Sequence, residues 1–241
     1  MSLTACEKEI FNRILKEELV PATGCTEPVA IAYAAAAAKK ALGCEPEVCE
    51  AELSGNIIKN ARCVAVPNTG GLKGIEAAVA AGVVAGRAEL ALDVLSAATG
   101  REEEIRDFLE KRGVSVRPAD NDLTFFIRVT VGAGSSRAKA VIEGFHTNLV
   151  LIEKDGIELF RSGAKSNPCC VADRSMLTVE KIVEFADVAD LAEIREILER
   201  QIAFNSAISE EGLKGDWGAN VGKVILKTFG DSPESCLLYT S

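Results

Sequence analysis

Residues 29–42 constrain the fold more than any other stretch: they are nearly all alanine and apolar, contain an alanine run at 34–38, and close at Gly43. Alanine has the highest helix propensity and glycine is a common helix stop, so the segment reads as a helix. A helix with no polar face has to be covered on every side. Small side chains also let neighbouring elements come close, so this chain has to form a packed core around that helix. The remaining composition permits one: 241 residues, 48% hydrophobic and 26% charged, with no apolar run near the roughly 20 residues of a membrane span. A balance of 27 basic against 36 acidic residues gives net charge −9. No face of clustered Lys and Arg is visible to neutralise phosphates, so neither nucleic acid nor membrane is an expected partner. The polar first residues run straight into a helical pattern without a signal or transit sequence, which predicts a cytoplasmic location.

Thr4 followed by Glu7 is a capping box, and Ile10, Phe11, Ile14, Leu15 and Leu19 continue it with helical spacing over 5–19. Residues 21–28 form a tight loop. Beyond Pro46, Cys49, Ala51 and Leu53 alternate with Glu50 and Glu52 like a half-buried strand, and 64–66 is a short apolar run. A glycine-rich turn at 67–74 leads into apparent helices over 75–87, 88–99 and 101–112. Strand patterns then occupy 114–117, 123–131, 138–143, 147–153 and 157–160, the last two joined by a turn at 154–156. After a polar connection at 161–175, helical patterns return at 177–189, 190–209 and 217–229. The expected fold is α+β: a helical domain built from both chain ends (1–45 and 166–235), with an antiparallel sheet and helices (46–165) inserted between them. Residues 236–241 end without a cap, and one back-translation of them matches a transposon end used in sequencing libraries. That predicts an artefact there, with the natural protein continuing past about residue 235.

Eight cysteines (Cys6, Cys25, Cys44, Cys49, Cys63, Cys169, Cys170 and Cys236) in a reducing compartment are poor disulfide material, and no CxxC pair occurs. Cys44, Cys49 and Cys63 read as core packing, and the adjacent pair Cys169–Cys170 as incidental. Cys25 is the informative one. Pro28 marks the first turn of the following helix, which places the thiol at that helix's amino terminus, where partial positive charge favours thiolate. Such a thiolate can be a nucleophile, a redox thiol or a metal ligand; a buried structural thiol is the plain alternative. Only one histidine, His146, is present; it is placed at the start of a strand and is the one side chain that titrates near neutrality without perturbation. Asn68, Thr69, Gly70 and Gly71 could form an anion site at a helix start, although the Walker spacing is missing.

Four motifs, at 21–28 (Pro-Ala-Thr-Gly-Cys-Thr-Glu-Pro), 54–61 (Ser-Gly-Asn-Ile-Ile-Lys-Asn-Ala), 66–71 (Val-Pro-Asn-Thr-Gly-Gly) and 146–149 (His-Thr-Asn-Leu), stand in order. Together they resemble the serine dehydratase-like family that includes L-cysteine desulfidases, over essentially all of 1–235. The resemblance implies a lyase with a [4Fe-4S] cluster, to which Cys25 contributes one thiolate and whose other ligands lie beyond this chain's end, so that the chain is an inactive fragment as written. The implied reaction is β-elimination from L-cysteine to pyruvate, ammonia and sulfide, with L-serine dehydration as the alternative of the same kind. His146 is then the candidate α-proton base or carboxylate donor, and Thr26 a hydrogen-bonding neighbour of the cluster or substrate. Asn56, Lys59, Asn60, Thr69 and Asn148 are the substrate-binding candidates, while Glu27 reads as helix capping. A non-catalytic amino-acid-binding module and a subunit that completes a partner's site are the readings from other classes. A homo-oligomer is compatible with the pattern.

Overall fold

A computed structural model of the chain describes residues 3–21, 24–162, 173–216 and 218–230. The expected artefact at 236–241, Cys169–Cys170 and Cys236 lie outside the described residues. The chain divides into two compact units, Pro21–Asn167 and a second made of Met1–Val20 with Pro168–Ser241.

The larger unit is α+β. Its helices are α2 (Thr26–Leu42), α3 (Gly55–Ala61), α4 (Gly74–Ala85) and α5 (Glu102–Arg112), numbered after α1 (Ala5–Glu18) of the other unit. Its strands are β1 (Val48–Leu53), β2 (Ser115–Pro118), β3 (Phe126–Ala133), β4 (Ser136–Glu143), β5 (Leu149–Lys154) and β6 (Ile157–Arg161), in spatial order β2-β1-β3-β4-β5-β6. The alternation read from the sequence sets the register. Cys49, Ala51 and Leu53 pair with Val131, Val129 and Ile127, all buried against the helices. On the opposite face Glu52 lies level with Arg117 of β2 and Arg128 of β3. It is 6% exposed and pairs with Arg117 at 2.5 Å and with Arg128, so the buried carboxylate is matched by cations from both neighbouring strands.

Helix α2 is the centre of this unit. It packs on β3, β4 and β5 and is crossed by α4, which covers it on the sides its sequence leaves apolar. The crossing is as close as backbones allow: a Cβ added at Gly82 would stand 2.2 Å from the Ala32 carbonyl oxygen, and one at Gly86 2.7 Å from the Ala36 Cβ. Gly43 ends the helix at φ 82°, and Lys154 of β5 donates to the Leu42 carbonyl at 2.8 Å. Because the sheet needs this helix as its cover, the unit begins at about residue 21, whereas the sequence assigned 1–45 to the helical part. The sheet is also not purely antiparallel. β1 and β2 run parallel, since the long helical crossover through α3, α4 and α5 returns the chain in its original direction. The expected helix at 88–99 is a 3-10 turn, Ala88–Asp93, broken at Ala91 with φ 47°; the chain bends there to bury Val94, Leu95 and Ala98. The short apolar run at 64–66 contributes an isolated bridge between Ala65 and Lys73.

In the helical unit α1 is joined by α6 (Val179–Val188), α7 (Leu191–Lys214) and α8 (Val221–Phe229). Thr4 and Glu7 form the expected capping box. Phe11 stacks on Phe185 of α6 with centroids 4.8 Å apart, and Asn12 donates to Glu193 of α7 at 2.5 Å. Lys181 of α6 reaches Glu7 at 2.7 Å. Among the described residues no helix is long and apolar enough to cross a membrane.

Candidate functional site

Cys25 is the N-cap of α2, in extended backbone at φ −68° and ψ 127°, and its side chain makes no capping bond. The thiol turns instead to Glu27, one turn-position into the helix, and donates to Oε2 at 3.1 Å. Thr26 Oγ1 stands 3.4 Å from the same oxygen. The other oxygen, Oε1, accepts from Asn60 Nδ2 of α3 at 3.1 Å. One carboxylate therefore gathers the N-cap thiol, the first helical hydroxyl and an amide from a separate helix.

This arrangement reverses the expected thiolate. Partial burial raises the Cys25 pKa above its ordinary value, and the Glu27 carboxylate raises it further by accepting the S–H proton, against a smaller opposing pull from backbone N–H. The helix terminus is real, but burial, together with the acid beside the thiol, outweighs it. Burial also acts on Glu27, pushing upward; the donors from Cys25, the backbone and Asn60 outweigh it and hold Glu27 below its usual range, as an anion.

His146 sits in the turn between β4 and β5 and not in a strand, because Asn148 Nδ2 donates to the Glu143 carbonyl at 2.7 Å and closes that turn. The ring meets Phe125 edge-on with centroids 4.7 Å apart. Its Nε2 is buried with no hydrogen-bond partner. Burial lowers the His146 pKa, and the nearby charge of Glu27 pulls it partly back, so the imidazole is neutral at neutral pH.

The other sequence candidates separate. Asn56, Lys59 and Asn60 occupy one face of α3 at helical spacing, and all three are exposed. Thr69 does not face a ligand: it is 1% exposed and its hydroxyl donates to the Val66 carbonyl at 2.8 Å. Asn148 is committed to its turn, and Asn68 donates to the Leu95 carbonyl at 3.1 Å. The glycine-rich turn does approach the site. Gly24, at φ 75°, lies where an added Cβ would be 3.0 Å from Pro67, so the loop bearing Cys25 rests on that turn.

A [4Fe-4S] cluster needs several thiolates, and the donor set meets that need only in part. Cys25 is an accessible soft donor that fits one coordination position. Among the described residues no group of three or more His, Cys, Asp or Glu side chains is placed to hold a metal ion. Cys49 faces the core with its pKa pushed up to about 12 by burial, and Cys6, Cys44 and Cys63 are exposed thiols outside any such group. Sequence reasoning took Glu27 for a helix cap, whereas its carboxylate bonds the thiol and the Asn60 amide. The signal was an acid two residues after the N-cap cysteine, near enough for one carboxylate to reach the thiol.

The chain is similar to proteins named UPF0597. One from Desulfitobacterium hafniense is 45% identical over 225 residues, 92% of this chain and 52% of that relative. Another from Treponema denticola is 40% identical over 232 residues, 94% and 53% of the two chains, and one from Fusobacterium nucleatum 40% over 217 residues, 89% and 51%. This chain thus spans about half the length of the curated relatives it matches. No family model matches it, and no solved structure does. These names overturn the resemblance drawn from the four motifs: the relatives carry the name UPF0597 and not that of the serine dehydratase-like family, and the name states no activity.

Proposed function

We propose that the site formed by Cys25, Glu27, Asn60 and His146 serves a cytoplasmic lyase that eliminates the β-substituent of a small α-amino acid. The preferred substrate is L-cysteine, which yields sulfide and 2-aminoacrylate; water converts the latter to pyruvate and ammonia. The observation that supports this reading is the convergence of a soft ligand and a carboxylate from the start of α2, an amide from α3, and the neutral imidazole of the β4–β5 turn, whose charge interaction with Glu27 marks it as a neighbour. Neutral His146 can accept a proton, as removal of the substrate Cα–H requires. Asn56 and Lys59 offer donors to the substrate carboxylate, and Asn60, held by Glu27, orients that end of α3. Cys25, on passing its proton to Glu27 or to solvent, would hold one position of a [4Fe-4S] cluster, whose further ligands would come from outside the described residues. Such a cluster, when bound, supplies Lewis acidity toward a leaving sulfur or hydroxyl.

Anaerobic loading of the protein and of Cys25→Ser with iron and sulfide tests the reading. Iron retained by the wild type and lost in the variant, together with loss of sulfide release from L-cysteine, is the expected result. A variant that keeps iron and turnover overturns it. Faster pyruvate formation from L-serine than from L-cysteine would reassign the substrate, and tight amino-acid binding without iron or turnover would favour a binding module.

A further inference from the structure

The helical unit buries far less than its helices offer. Its apolar cluster of Leu3, Phe11 and Phe185 takes no residue from α7 or α8. In α7 only Ile194 is buried, and nothing from 199 to 214 is, a stretch of about 24 Å at 1.5 Å per residue. Phe204 and Ile208, four residues apart, share one face of that stretch. No residue of α8 is buried: Val221, Val224 and Phe229 recur on one face, with Lys223 and Lys227 on the other. These five apolar side chains are 56–75% exposed. Apolar side chains scattered singly on a surface need no cover, but aligned along helices they mark an interaction face. A helix of nine residues is also too short to persist in water by propensity alone, and draws its stability from whatever covers its apolar side.

The relatives carry the length of chain that such a cover needs. The Desulfitobacterium hafniense protein matches 92% of this chain with 52% of its own length, and the Treponema denticola protein 94% with 53%. The residues left unmatched here are fewer than those that follow Lys214, so the match in both includes the 199–214 stretch of α7 and leaves nearly as much chain again outside it. We infer that the exposed faces of α7 and α8 are a docking surface for the polypeptide that makes up the unmatched part of these relatives. The two contribute opposite sides of one helical core: α7 and α8 supply one apolar side, and the unmatched part supplies the side that packs on it. None of the groups placed in the candidate site takes part in this contact.

Co-expression of this chain with the unmatched part of the Desulfitobacterium hafniense relative, which carries the affinity tag, tests the surface. The two should copurify as a one-to-one complex by light scattering. Amide exchange at 199–214 and 221–229, fast in this chain alone, should slow about tenfold or more in the complex. Ile208→Glu and Val224→Glu alter exposed positions, so both variants should keep the wild-type circular dichroism and bind about tenfold or more weakly. Leu159→Glu, at a comparably exposed apolar position in β6, should bind as the wild type does. Failure to copurify overturns the inference, as does a complex indifferent to Ile208→Glu and Val224→Glu. Slow exchange at both helices in this chain alone overturns it too, since the helices would then need no cover. Self-association that Ile208→Glu abolishes would assign the face to a second copy, and binding to phosphatidylglycerol vesicles that Val224→Glu abolishes would assign it to a lipid surface; either result overturns the docking site.

Discussion

At the scale of single residues, the site is governed by which neighbour each titratable group has. His146 has an ordinary value of 6.5, and burial lowers it. Neutral imidazole is therefore the form the fold favours, and the sign follows. As pH falls below about 6.5 the unfolded histidine protonates first, so the stability contributed by this residue is present above that value and declines below it. Its capacity as a base declines only when pH reaches the lowered folded value. The proposed elimination should accordingly be flat through neutrality and fall on the acid side, and with His146 as its base His146→Gln should cost about 10²–10⁴ in rate. Pyruvate formation followed against pH for both proteins checks this; a variant with the wild-type rate and profile removes His146 from the chemistry. Local sequence signals reached Cys25, His146 and Asn60 because motif position and helix-start rules mark them. They misjudged Thr69 and Asn148, whose polar groups are consumed by turns, and they could not show that Glu27 gathers Cys25 and Asn60, because that contact exists only once α3 is in place.

At the scale of elements, the α2–α4 crossing sets a hard limit. Gly82 faces the Ala32 carbonyl with no room for a methyl group, and a backbone oxygen cannot rotate away as a side chain would. Gly82→Ala should destabilise the unit by about 2 kcal/mol through forced separation of the two helices, read as a lowered urea midpoint of the full chain. An unchanged midpoint would mean the helices have slack the structure does not show. The alanine run made α2's burial legible, since no polar face was available for solvent. The direction of β2 was not legible, because a strand's own pattern says which face is buried and nothing about the neighbour it runs beside. The 3-10 turn at Ala88–Asp93 escaped for a related reason: its apolar spacing suits a helix, and only the demand to bury Val94 and Leu95 bends it.

At the scale of the whole molecule, the two units differ in how they are held. The larger one has a continuous apolar core running through α2, α4 and the sheet. The helical unit relies on a small cluster of Leu3, Phe11 and Phe185 and on polar ties, of which Lys181 to Glu7 is the clearest. The hydrogen bond from Lys181, with those from Thr4, lowers the Glu7 pKa from 4.5 to about 2. A depressed carboxylate stabilises above its unfolded value, so this contribution is present above pH 4.5 and is lost as pH falls from there to about 2. Lys181→Ala should shift acid loss of helicity to higher pH, followed by far-ultraviolet circular dichroism, and added salt should narrow the difference because the pair is partly open to solvent. Coincident titrations at low salt would assign the tie no role. Domain assignment from sequence placed α2 in this unit on the strength of chain order; burial on all sides assigns it to the sheet.

The bond from Lys154 to the Leu42 carbonyl gives the larger unit a fixed gauge length. Helix α2 and strand β5 both start beside the site, at Cys25 and just after His146, and both finish at that tether. They act as the two arms of a caliper clamped at the far end. One residue added to α2 would advance its arm by about 1.5 Å, and one added to β5 by about 3.3 Å. The spacing between Cys25 and His146 is thereby tied to the matched lengths of two elements that are clamped together at their other ends.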